Sequence, residues 1–272
     1  MTDQIPEECS TSSARIGILD SGVGGLSVLK EIRTRLPRAS LHYVGDSEWC
    51  PYGNKPPEQI CERVTSIADY LIGYGADLLV IACNSATIHA VGPLRALYPI
   101  PIVGMEPGVK PAAEQTQSGV IGVLATEASI AGEKFHQLVN RHAEGIKVIT
   151  CPCPRFVELV ESGQLEGPEV DAAVSEVLTP LLAMEADVIV LGCTHYPFLS
   201  SAIEQQLPDE VVLIDTGPAV ADRVVDQIPT LSNVSKESPQ IIIETTGSLG
   251  LLNELLPSVL SGSDVLTQSV RL

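Results

Sequence analysis

Basic side chains are scarce in this chain of 272 residues. Sixteen lysines and arginines stand against 34 acidic residues, a formal net charge of −18. A surface that negative argues against nucleic acid or an anionic membrane as the main partner, because both require clustered cations. A few local donors could still hold a small anionic ligand. No apolar run reaches the roughly eighteen residues needed to cross a bilayer. The opening stretch, MTDQIPEECSTSSAR, has neither a basic start nor an apolar core. No secretory signal is expected in it, and the expected location is cytoplasmic. The seven cysteines, at 9, 50, 61, 83, 151, 153 and 193, show no disulfide framework. In a reducing compartment they are expected to be free thiols. Cys151 and Cys153 have no second Cys or His pair at ligand spacing, so no metal site is expected. There is no low-complexity tract and no short-period repeat.

What the chain does contain is a globular composition, 44% apolar, with length enough for one large or two smaller domains. Short apolar runs alternate with segments of helical periodicity. RIGILD, SLHYVGD, DLLVIAC and IPIVGM read as strands, with helices between them. EPGVKPAAEQ reads as a joint. After it the pattern restarts with GVIGVLAT, a helix over 129–142, IKVIT, helices at FVELVES and 168–185, then DVIVLGC and VVLIDTG. A helix over 218–227, the strand QIIIETT and a last helix interrupted at Pro257 complete it. LSNVSKESPQ is polar and reads as a surface connection. This alternation predicts two similar α/β domains, each a doubly wound parallel sheet, with the site in the cleft between them.

Two stretches share an unusual shape. ADLLVIACNSAT and ADVIVLGCTHYP each run Ala-Asp, an apolar strand, Cys, then polar residues, and the cysteines lie 110 residues apart. Open parallel sheets bind ligands beyond the carboxyl ends of their strands. At those ends stand Asp20 and Ser21, Cys83 with Asn84 and Ser85, Thr126, and Cys193 with Thr194 and His195; Tyr52 and Gly53 lie in the loop after the second strand. Taken singly, each has a bland reading: a buried cysteine is a small hydrophobe, and Asp20 could cap a helix. The matched pair is what points to chemistry. A thiol ahead of a helix N-terminus is also expected to have a lowered pKa. GVGG after the first strand fits phosphate binding poorly, since Ser27 stands where a third Gly would fall.

Two opposed thiols suit inversion of a stereocentre bearing a hydrogen. One removes the proton from one face while the other delivers a proton to the opposite face. The free thiol pKa, about 8.5, lets both forms be reached with modest tuning. The rivals are a single cysteine nucleophile with His195 as base, acting as hydrolase or transferase, and a two-lobed binding protein without catalysis.

GILDSGVGGLSVLKEI, YVGDSEWCPYGNK, ACNSAT, LGCTHYPFL and IDTGPAVAD together resemble the glutamate racemases of the aspartate/glutamate racemase superfamily. The resemblance implies cofactor-independent interconversion of L- and D-glutamate, supplying D-glutamate for bacterial peptidoglycan. It implies that Cys193 takes the proton from L-glutamate and Cys83 from D-glutamate. Asp20 and His195 would assist the thiols, with Glu161 a further helper near Cys193. Asp20, Ser21, Tyr52, Gly53, Asn84, Ser85, Thr126, Thr194 and His195 would hold the substrate. Residues 1–107 with 216–272 would form the first domain and 108–215 the second. Ser85 stands where the family usually has Thr. A racemase of aspartate or another amino acid is the rival within the class. Beyond the small-molecule substrate, a homodimer is left open as a partner.

Overall fold

The computed structural model describes residues 14–228, 239–260 and 265–272. Cys9 and most of LSNVSKESPQ therefore lie outside the described residues. Among the described residues ten strands order the fold: β1 Arg15–Asp20, β2 Ser40–Gly45, β3 Leu78–Ile81, β4 Ile102–Gly104, β5 Val120–Ala125, β6 Lys147–Pro152, β7 Val188–Gly192, β8 Val212–Asp215, β9 Ile241–Thr245 and β10 Val265–Ser269. They form a six-stranded sheet, β10-β9-β2-β1-β3-β4, and a four-stranded sheet, β6-β5-β7-β8. Every pairing is parallel. The chain therefore leaves the first sheet after β4, builds the second, and returns to the first with β9.

The central strands are continuous apolar runs because helices cover both faces of each sheet. β3 and β7 are buried at every position, as are the last five residues of β1 and of β5. Each Leu, Ile or Val buried there contributes about 1.5–3 kcal/mol, which fixes the strands in place. The register then matters for function. Asp20 pairs with Gly45, and Leu19 with both Val44 and Ile81. Ala125 pairs with Gly192, and Leu191 with Asp215. The carboxyl ends of each sheet thus form one edge.

Three expectations need correction. The segment read as a joint carries the helix Val109–Gln115. Pro111 is tolerated because it lies in the first turn, where an N–H has no intrahelical partner. The helix expected over 129–142 is two helices, Glu127–Ala131 and Glu133–His142, divided at Gly132 in extended backbone. Ile88 packs 3.0 Å from where a Gly132 Cβ would stand, so the break seats this turn against the helix Asn84–Leu97. The last helix, Leu249–Val259, is not interrupted at Pro257. That proline removes one bond in the final turn, and Leu260 N–H still closes on Leu256 O.

Candidate active site

β1 ends on Asp20, which is fully buried. Its carboxylate accepts from the N–H groups of Gly22 (3.2 Å) and Gly25 (2.8 Å), which curls the GVGG loop around it. Burial raises the Asp20 carboxyl above its ordinary value, while the nearby His195 and the Gly25 N–H pull the other way. β3 delivers Cys83, the N-cap of the helix Asn84–Leu97, whose sulfur accepts from Ala86 N–H at 3.5 Å. The Cys83 thiol lies 3.6 Å from the Ser21 hydroxyl. Its pKa is raised, contrary to the expectation from the helix terminus. Burial and the charge of Asp20 outweigh the Ala86 N–H, and Cys193 acts in the same direction.

β7 delivers Cys193 ahead of a single 3-10 turn, Tyr196–Leu199. Its sulfur is 3.7 Å from His195 Nδ1. His195 Nε2 is 2.7 Å from Glu161 Oε1, and that same oxygen accepts from Val23 N–H of the GVGG loop at 2.8 Å. Burial alone would push His195 down. Hydrogen bonds to Cys193, Cys50 and Glu161 outweigh it and hold the imidazole well above its ordinary value. Glu161 is correspondingly held below the usual glutamate value against its own burial.

The two edges face each other. Thr194 donates from Oγ1 to Asp20 at 3.4 Å, and the Ser27 hydroxyl donates to Thr194 O at 3.0 Å. Ser85 and Thr126 bring their hydroxyls within 3.1 Å, and Gly53 closes over both: a Cβ there would lie 3.2 Å from Thr126 Cβ. The GVGG glycines serve this approach and not a phosphate. A Cβ on Gly24 would stand 2.4 Å from His195 Nδ1, and one on Gly22 1.9 Å from Glu161 Oε1. Asn84 is buried, and neither its amide nitrogen nor its oxygen has a hydrogen-bond partner among the described residues. Both its amide NH2 and its carbonyl oxygen are spare for a polar ligand.

Tyr52 spends its hydroxyl on Asp46, at 2.6 Å. Asp46 is a residue that the sequence reading passed over. Fully buried, it takes a two-pronged bond from Arg63 at 2.7 Å each and a hydroxyl from Thr246 at 2.8 Å. This knot ties the Tyr52 loop to β9. Arg63→Ala would leave Asp46 without its counter-charge. We expect a loss of about 3 kcal/mol, the lower end for a broken buried pair, because two hydroxyls remain. Urea unfolding of the variant checks this; an unchanged midpoint would contradict it. Cys50 is the other residue passed over, sharing the neighbourhood of His195 and Glu161. A separate pocket of about 410 Å³, bordered by Arg95, Lys110 and Arg223, touches neither Cys83 nor Cys193.

Residues 16–224 match the Asp/Glu/hydantoin racemase family. The chain belongs to that family. Glutamate racemase of Pseudomonas putida KT2440 is 47% identical over 255 residues, covering 93% of this chain and 96% of that protein. Among solved structures, Escherichia coli glutamate racemase in complex with L-glutamate and the activator UDP-MurNAc-Ala superposes with a TM-score of 0.84. It is 32% identical, covering 94% of this chain and 98% of the other. Francisella tularensis glutamate racemase in complex with D-glutamate gives 0.81 at 26% identity, covering 95% and 98%. As a member of a racemase family the chain is an isomerase. No described helix is long and apolar enough to cross a membrane.

Proposed function

We propose that this protein interconverts L- and D-glutamate without a cofactor, by proton transfer between two cysteines on opposite sides of the α-carbon. The observation that carries the reading is the matched delivery of two buried thiols, Cys83 and Cys193, to facing sheet edges. Relatives close in sequence over nearly the whole chain bear the same activity in their names. The lobe of residues 1–107 with 216–272 presents Cys83, and the lobe of 108–215 presents Cys193.

Cys193 removes the α-proton of L-glutamate and Cys83 supplies a proton to the other face; D-glutamate reverses the roles. The raised Cys83 pKa favours its thiol form, the one it needs when L-glutamate is the substrate. The substrate ammonium enters beside Asp20 and offsets the charges gathered there. Asn84, Ser85, Thr126 and Thr194 hold the carboxylates and ammonium, with Ser21 and the main chain at Tyr52 and Gly53. His195, tied to Glu161, sits against Cys193 as its proton partner. Exclusion of water from a buried site strengthens each of these interactions. The product is D-glutamate for peptidoglycan. The cytoplasm is the fitting compartment, because all six described cysteines are free thiols.

The test is incubation with L-glutamate in deuterated water. D-glutamate carrying α-deuterium is expected. Faster turnover of aspartate would replace the substrate, and dependence on added pyridoxal phosphate would refute the cofactor-free mechanism. A covalent adduct on one cysteine, seen by mass spectrometry, would favour the nucleophile reading instead.

A further inference from the structure

We infer that Cys50, Glu161 and His195 form a binding site for a thiophilic divalent cation, zinc in the first instance, distinct in chemistry from the two-thiol pair. One ligand atom from each of the three residues lies within 4.8 Å of the other two. A thiol, an imidazole and a carboxylate are the donor types that bind zinc, and the sulfur and nitrogen select against magnesium and calcium. Zinc bonds of about 2.0–2.3 Å place the donors of one tetrahedral ion roughly 3.3–3.8 Å apart. His195 Nε2 and Glu161 Oε1 are now 2.7 Å apart, joined by a hydrogen bond. They need to open by about 0.6–1.1 Å for the cation to replace that bond.

The surroundings fit an ion. A pocket of about 310 Å³ is bordered by Cys50 and Glu161 and gives an entry path with room for a water as the remaining ligand. No basic residue borders it, and Glu158 adds negative charge. Gly22 leaves open the space between the donors: a Cβ there would lie 1.9 Å from Glu161 Oε1 and 3.1 Å from Cys50 Sγ. On binding, the Cys50 thiol, pushed up to about 11 by burial, and the His195 imidazolium each release a proton to solvent. The thiolate and carboxylate then balance the two positive charges of the ion, so the buried assembly carries no net charge. Zinc seated here takes His195 out of reach of proton exchange, and racemisation stops. That consequence rests on the role given to His195 under Proposed function; the binding itself does not.

Zinc titration calorimetry on the full chain, with a phosphine reductant and no chelator, tests the site. One zinc per chain is expected for the unaltered protein. It is also expected for a Cys83→Ala/Cys193→Ala double variant, which lacks the competing thiol pair. Cys50→Ala should weaken binding more than about tenfold, the least expected when a metal loses a direct ligand. Cys50→Ala affinity equal to that of the unaltered protein, or loss of zinc binding in the double variant, would overturn the site. In a parallel rate assay, zinc should inhibit the unaltered protein at the calorimetric midpoint. Cys50→Ala should then need more than about ten times as much zinc for the same fractional inhibition of its own metal-free rate. Zinc bound through Cys50 without loss of rate would uphold the site and overturn the part assigned to His195.

Discussion

Replacing Cys83 by alanine is expected to lower racemisation by roughly 10²–10⁴-fold, the contribution of a positioned proton-transfer group. Cys193→Ala should do the same. The reason is stereochemical. A thiol on one face can remove a proton and return one only to that face, so neither cysteine can invert the centre alone. The two losses should look equal in total rate and opposite in labelling. In deuterated water Cys83→Ala, which keeps Cys193, should place deuterium in L-glutamate and not D. Cys193→Ala should label only D-glutamate. Both side chains are small and buried, 5% and 6% exposed, so loss of stability must be separated from loss of chemistry. A melting curve on each variant does that. Full rate in either alanine variant, or labelling of both enantiomers by one of them, would end the two-base scheme.

Much of this was legible in the sequence because parallel sheets write themselves plainly. β1, β3, β5 and β7 are uninterrupted apolar runs, and each ends where polar residues begin. Chain order then places Asp20, Cys83, Thr126 and Cys193 at carboxyl edges with no further information. What stayed hidden depends on contacts distant in sequence. Asp46 gains meaning only when Arg63, Tyr52 and Thr246 converge on it, and Thr246 is 200 residues away. Cys50 reads as one more loop cysteine until Glu161 and His195, more than 100 residues along the chain, come beside it. Local patterns also misled. The helix N-terminus suggested a lowered Cys83 pKa, but burial and Asp20 dominate there. β10 escapes the sequence reading because its VLTQS is an edge strand with no buried residue, so it has neither the continuous apolar run of a covered strand nor a clean apolar/polar alternation.

His195→Asn should reduce kcat/KM by about 10²–10³-fold, within the range for a proton-transfer partner. The loss must be identical from either enantiomer, because L- and D-glutamate have equal free energy in solution and no enzyme variant can alter that balance. The asymmetry of the site therefore has to be sought in individual steps. His195 lies 3.7 Å from the Cys193 sulfur, whereas Cys83 faces the Ser21 hydroxyl and the Ala86 N–H. Losing the imidazole slows transfer at Cys193 and leaves transfer at Cys83 as it was. Starting from L-glutamate, breaking the α-carbon bond to hydrogen then becomes more fully rate-limiting, so the isotope effect with α-deuterated L-glutamate should rise. Starting from D-glutamate, the slow step becomes reprotonation by Cys193. The isotope effect with α-deuterated D-glutamate should fall while the solvent isotope effect grows. Glu161→Gln should reproduce the pattern more weakly, since the amide can still hydrogen-bond His195 Nε2 but no longer balances its charge. A histidine that merely fills space would lower stability and leave both isotope effects where they began. That outcome would reduce the Glu161–His195 pair to scaffolding.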